Sequence, residues 1–230
     1  MNFILSLIRA TQWEFLLLAR YQVVAMSFFI AGVYAALFFA LDLHYDDLII
    51  LFVISDPVMM GFMFTGVLVL YDKNQNTMQA ISVTSVNHAI KLGARALALT
   101  VLALICSFAI AIAGKSFDFN FLIFSLAVIL SSILFYYIGI ISLIGVSSFN
   151  GFLMRAVVYL IPFFIPLLEL GDVYTNPLFY LIPTKAVLIL FQASFESAST
   201  LDLIYAFAYQ IILIVVIQIY AVKKYEKGEV

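Results

Sequence analysis

The chain predicts an all-α membrane protein of six transmembrane helices, with an amino-terminal cytoplasmic interfacial helix and a broken extracellular or re-entrant segment before the last span. Three observations predict it. Of 230 residues, 66% are hydrophobic and only 10% are charged, with a mean hydropathy of +1.17; a soluble core of this size cannot hide that much apolar surface. Several apolar runs reach the roughly 20 residues that a crossing needs. The charges sort into alternate gaps between those runs. Arg9, Arg20, Lys73, Lys91, Arg95, Arg155, Lys223, Lys224 and Lys227 occupy one set of gaps. The other set holds Lys115 and Lys185 among Asp42, Asp46, Asp47, Asp118, Glu169, Asp172, Glu196 and Asp202. Lys and Arg are retained in the cytoplasm during insertion, so nine of the eleven basic residues mark that side.

Residues 1–20 lack a basic region ahead of their apolar start, and Arg9 interrupts the run early, so no cleaved signal peptide is expected. Wound as a helix, Asn2, Ser6, Arg9, Trp13 and Arg20 share a narrow stripe beside Phe3, Ile4, Leu7, Phe15 and Leu18. That is the pattern of a helix lying on the cytoplasmic interface. Spans follow near Tyr21–Leu41, Leu48–Tyr71, Arg95–Gly114, Phe119–Val146, Phe152–Leu170 and Leu203–Val222. Six crossings put both termini in the cytoplasm.

In the fourth span, Gly139, Gly145, Ser147 and Ser148 predict a bend or an end before a short Asn150–Gly151 turn. Pro162 and Pro166 remove backbone donors one turn apart in the fifth span, as a structural kink or as hinge candidates. The segment 171–200 is apolar over Leu178–Phe195 but contains Pro183 and Lys185. A seventh crossing there would send Lys223, Lys224 and Lys227 outside, so the segment is read as short helices or a re-entrant hairpin broken at Pro183. One membrane domain, 1–230, accounts for the whole chain.

Little chemistry is visible. His44 and His88 fall in opposite aqueous gaps, and neither H-E-x-x-H nor G-x-S-x-G occurs. Gly114-Lys115-Ser116 imitates the end of a Walker A loop, but Ala109 stands where its first glycine belongs. The lone Cys106 lies inside an apolar run and reads as an inert buried thiol. Glu169 ends the fifth span and reads as solvated. A net charge of −2, averaged over a basic and an acidic face, argues against a nucleic-acid partner. Asp56, beside Pro57 in the second span, is either a substrate or proton site or an outer-third residue bonded to backbone amides or interfacial water. The cytoplasmic gap 72–94 is polar yet patterned: Asn76 or Thr77 can cap a short helix in which Met78, Ile81, Ser85 and Ala89 share a face. That helix either rests on lipid headgroups with help from Lys91 and Arg95, or docks a soluble partner.

Three stretches carry a resemblance: Asp56-Pro57-Val58-Met59-Met60-Gly61, Gly66-Val67-Leu68-Val69-Leu70-Tyr71-Asp72-Lys73, and Asn76-Thr77-Met78-Gln79-Ala80-Ile81-Ser82-Val83-Thr84. Together they resemble the ABC-2 type permeases of ATP-binding cassette transporters. There the second span ends in an acidic residue, followed by a threonine-containing turn and a coupling stretch. Asp72, Thr77 and Ala80 to Thr84 occupy those positions. Asn76 replaces a common glycine and Ser85 a common terminal proline. The Asp-Pro start and the Val-Leu-Tyr-Asp-Lys run look most like the fluoroquinolone or drug-export branch.

The resemblance implies a transport subunit rather than an enzyme, in a bacterial inner membrane. A second permease chain, identical or related, would complete the pathway. A separate ABC ATPase subunit would bind ATP and Mg, so no cofactor is expected on this chain. Asn76, Thr77, Met78, Gln79, Ile81 and Ser82 become ATPase-coupling residues, with Glu14 and the amino-terminal helix bracing the ATPase. Asp56, Phe62, Phe64 and Tyr159 become substrate-path candidates. The alternative is a self-contained ion-coupled carrier or channel using Asp56.

Overall fold

The computed structural model describes residues 3–74 and 88–228. All regular structure among them is helical. In chain order the helices are α1 (Phe3–Arg20), α2 (Val23–Ala40), α3 (Asp46–Val53), a π turn (Ile54–Val58), α4 (Met60–Asn74), α5 (His88–Lys115), α6 (Phe121–Ser142) and α7 (Phe149–Phe164). Two 3-10 segments (Ile165–Asp172 and Pro177–Leu181), α8 (Pro183–Phe195) and α9 (Thr200–Glu226) complete the chain. Among the described residues, six helical stretches are long and apolar enough to cross a membrane: Val23–Ala40, Asp46–Lys73, His88–Lys115, Phe121–Ser142, Phe149–Asp172 and Thr200–Glu226.

Hydropathy alone cannot show where the chain turns, but polar bonds do. Lys91 Nζ lies 3.5 Å from the Tyr225 hydroxyl, and Arg95 bonds Glu14, so the start of α5 meets both the amino-terminal helix and the end of α9. At the same end, Lys73 donates to the Val146 carbonyl at 3.2 Å and Arg155 donates to that of Ile144. These two cations satisfy carbonyls freed where α6 ends. We call this the basic end. The acidic end is fixed by His44 at the Gly114 carbonyl and at Asp42, Asp46 at Lys115, and Asp47 at the backbone N–H of Gly171. Termini meeting at one end require an even number of crossings.

The helix α8 is therefore no seventh span. Its 13 residues make about 20 Å of helix, short of the roughly 30 Å hydrocarbon core. Pro183 starts it at a first-turn position, where a missing N–H costs nothing. Its far end returns to the acidic end, where the Ser194 carbonyl accepts from Asn120 N–H at 2.7 Å. Phe191 and Phe195 pack there against Phe124, and Phe195 also against Phe119, with ring centroids 5.6–6.0 Å apart. Asn176 caps the preceding 3-10 turn, and Tyr205 and Tyr209 hydroxyls donate to the Tyr180 and Leu181 carbonyls.

Of the two expectations for the fourth span, a bend or an end, the end is what occurs: the α6 helix stops at Ser142 and turns over 143–145, with Gly145 at φ +71°. Other details depart from the one-dimensional reading. Asn150 and Gly151 are not a turn; they open α7, whose Ser148 cap accepts from Gly151 N–H at 3.2 Å. Gly139 does not bend α6 either. A Cβ there would sit 2.9 Å from the Phe62 carbonyl oxygen, so this glycine lets α4 and α6 approach closely. Pro162 lies inside α7 and Pro166 begins the 3-10 continuation, so α-helix gives way to 3-10 between them. Leu170 and Gly171 then leave helical geometry.

Candidate functional site

At the basic end two acids and two bases from three helices converge. Arg95, one turn along α5 from Lys91, is only 3% exposed although an arginine. Its Nε donates to Glu14 Oε2 at 2.8 Å and its Nη2 to Glu14 Oε1 at 3.3 Å, a fork on one carboxylate. The same Nη2 lies 3.1 Å from Asp72 Oδ2, and Lys91 Nζ reaches that oxygen at 3.2 Å. Glu14, on α1, is 5% exposed. Two positive and two negative groups cancel, which lets the cluster sit inside the bundle. Beneath it lies the fully buried Tyr136, within electrostatic reach of Arg95. His88 stacks edge-on against Tyr225 at 5.5 Å. Asp72 and Lys91 stand at the two feet of the segment 75–87, so the cluster ties both feet to α1 and, through Tyr225, to α9.

The coupling candidates Asn76, Thr77, Met78, Gln79, Ile81 and Ser82 lie outside the described residues. Glu14 is placed, and it points into the bundle. On α1, Leu18 is buried and Leu7 and Phe15 are half-buried, so these apolar residues pack on protein. Arg95 and Lys91 do not lie on headgroups either: ion pairing draws them inward. Sequence reasoning missed this cluster, although a signal existed. Glu14 and Asp72 are acids in gaps marked mainly by bases, and unlike Glu226 and Glu229 they do not lie in the carboxy-terminal tail.

The acidic end repeats the rule with opposite sign. Its two exceptional bases are both paired: Lys115 Nζ lies 2.7 Å from Asp46 Oδ1, and Lys185 pairs with Glu169. Glu169, expected to be solvated, is 9% exposed at its side chain. Asp42 and the Gly114 carbonyl hold His44 in place, and these contacts raise its pKa above the ordinary 6.5, the carbonyl bond most.

The substrate-path candidates do not converge on one cavity. Asp56 sits in the π turn, where Pro57 removes a helical donor; its Oδ2 is buried without a hydrogen-bond partner among the described residues. Tyr34 and Cys106 lie within its electrostatic reach. Phe62 is fully buried and stacked on Phe152 at 5.9 Å. Tyr159 is 36% exposed on α7. Phe64 lines a groove of about 560 Å³ near the basic end, between α2 and α4, with Tyr21, Met26, Phe29 and Tyr71. Gln22 turns the chain from α1 into α2 at φ +59°, a left-handed corner costing on the order of 1 kcal/mol.

A family model described as the fluoroquinolones export permease protein family matches residues 5–228. Two curated proteins of Mycobacterium tuberculosis, from two strains and each named a fluoroquinolones export permease protein, are 26% identical over 147 residues. The match covers 64% of this chain and 62% of each relative, so the chain spans less than two thirds of their length. No solved structure matches the chain.

Proposed function

The chain belongs to the fluoroquinolones export permease protein family, and from that premise we propose that it is the membrane-spanning permease subunit of an ATP-binding cassette exporter. Two such chains form the export pathway, and separate ATPase subunits dock beneath the segment 72–91 at the basic end. That end faces the cytoplasm, because nine of eleven basic residues mark it. Both termini are then cytoplasmic, α1 lies at the inner interface, and the segment 171–200 is re-entrant from the outer leaflet. The substrate class is a drug-like aromatic molecule, after the names of the relatives.

One observation supports the reading most: the buried cluster of Glu14, Asp72, Lys91 and Arg95 binds both feet of the candidate coupling segment to other helices. A push on the segment reaches α1, α4, α5 and α9 at once through charged contacts that resist separation. Force applied to a loop with free feet would be dissipated in the loop. Glu14 then acts by holding Arg95, while Asn76, Thr77, Met78, Gln79, Ile81 and Ser82 meet the ATPase.

The class is tested by mild extraction and co-purification: a soluble ATPase bound stoichiometrically is expected, and its absence sinks the proposal. A charge-introducing change, Gln79→Glu or Ile81→Asp, is expected to uncouple ATP hydrolysis from transport and leave the fold intact. Unchanged drug-stimulated hydrolysis and transport would count against docking there. Flux by the chain alone, driven by a proton gradient and lost in Asp56→Asn, would favour an ion-coupled carrier instead.

A further inference from the structure

The helix α1 uses one face for Glu14 and the core, and among the described residues nothing covers the opposite face. Leu5, Ile8, Arg9, Trp13, Leu16 and Arg20 form that face, at spacings of three and four residues. Leu5, Ile8, Trp13 and Leu16 are between 49% and 64% exposed. Arg9 and Arg20 are exposed, and neither makes an ion pair among the described residues. Glu14, the one acid of the helix, is turned inward onto Arg95. The uncovered face is thus apolar along its middle, cationic at two points three turns apart, and free of negative charge. Beyond the Gln22 corner the chain next lines an open groove of Tyr21, Met26, Phe29 and Phe64.

We propose that this face and groove bind an anionic phospholipid, with the headgroup phosphate at Arg9 or Arg20 and the hydrocarbon against Trp13, Leu16 and the groove. Charge complementarity selects the headgroup: arginine donates to phosphate as a fork, and its aliphatic stem lies along apolar neighbours. A docked soluble protein would have to cover four large apolar side chains and meet two arginines with acids; a lipid surface supplies both chemistries at once. Because Glu14 shares the helix, lipid held on the outer face fixes the position from which Glu14 grips Arg95. The proposal draws on the permease reading only for which leaflet supplies the lipid.

Trp13 is the single tryptophan of the chain, so its fluorescence reports this helix alone. The full chain is reconstituted in phosphatidylcholine vesicles containing a minor fraction of brominated phosphatidylglycerol or, separately, of brominated phosphatidylcholine. Each arginine near an anionic lipid enriches it about fivefold, so several-fold stronger quenching by the brominated phosphatidylglycerol is expected. In the Arg9→Gln/Arg20→Gln variant the two lipids should quench equally, with the helical circular dichroism unchanged. Equal quenching by both lipids in the wild type would overturn the headgroup selection. Absence of quenching by either would place the face against protein or water and overturn lipid binding altogether. Preference surviving in the double variant would overturn the assignment to these arginines. No ATPase is present in the assay, so its outcome is separate from that of the co-purification.

Discussion

The two ends of the bundle handle minority charges in different ways. At the acidic end, Lys115 and Lys185 each find one carboxylate, and the two pairs are separate. At the basic end, Glu14 and Asp72 share Arg95, and Lys91 joins through Asp72, so three helices are locked by one cluster. Exposure divides the ends only in part. Lys115 and Asp46 keep 26% and 20% of their side-chain surface, whereas Arg95 and Glu14 keep 4% and 7%; Lys185 and Glu169, at 12% and 9%, are as dry as Lys91 and Asp72, at 10% and 13%. An isolated pair joins two helical elements at one point and can open locally. A dry, shared cluster cannot lose one member without stranding another charge in the bundle, so its elements move together or not at all. Under the proposed function, the acidic end would open and the basic end would transmit.

Removing Arg95 should break the contrast most severely. Arg95→Ala leaves Glu14 and Asp72 facing each other in a buried site and is expected to destabilise the bundle by about 3–5 kcal/mol, read as a loss of thermal stability in detergent. Arg95→Lys should recover part of this but not the two-point grip on Glu14. A double-mutant cycle of Glu14→Gln with Arg95→Met should show strong coupling; additive losses would mean the cluster is not a unit. Next in size is the deeper outer pair. Lys185→Ala is expected to cost about 2 kcal/mol and to increase hydrogen exchange over 171–195 while sparing the basic end. Lys115→Ala, at the wetter pair, should cost no more than about 1 kcal/mol. If Lys115→Ala proved as damaging as Arg95→Ala, the distinction between the ends would fail.

The smallest effect belongs to His44. Its pKa in the folded chain is raised, first by the Gly114 carbonyl and then by Asp42. A raised value means that the folded state binds the proton more tightly than the unfolded state does. The added stability is therefore fully present below about pH 6.5, the unfolded value, and is lost as the pH climbs through the folded one. Hydrogen exchange around residues 41–45 should accelerate across that window, and His44→Gln should abolish the dependence.

Much of the architecture was legible in the residues. Six spans, the rejected crossing at Leu178–Phe195, the break at Pro183 and the placement of His44 and His88 at opposite ends all followed from hydropathy, proline and charge order. The sites were less legible. Glu169 read as a solvated span terminus, yet Lys185 closes on it from 16 residues away. Asn150 and Gly151 read as a turn because both residues favour one, but Ser148 caps a helix through them. Gly139 read, with Gly145, Ser147 and Ser148, as the mark of a bend or an end, when its missing side chain serves the approach of another helix. Each misreading assigned to local preference something that a distant partner decides.

By itself the sequence determined how often the chain crosses and which charges lie on which side. Both follow from the transfer of successive segments out of water, a property that accumulates along the chain one residue at a time. Only the tertiary structure decided which exceptional charges are tolerated inside, because burying a charge becomes affordable only when an opposite one arrives from another helix. Glu14 and Arg95 are 81 residues apart, and Asp46 and Lys115 are 69 apart; nothing local to either residue specifies its partner.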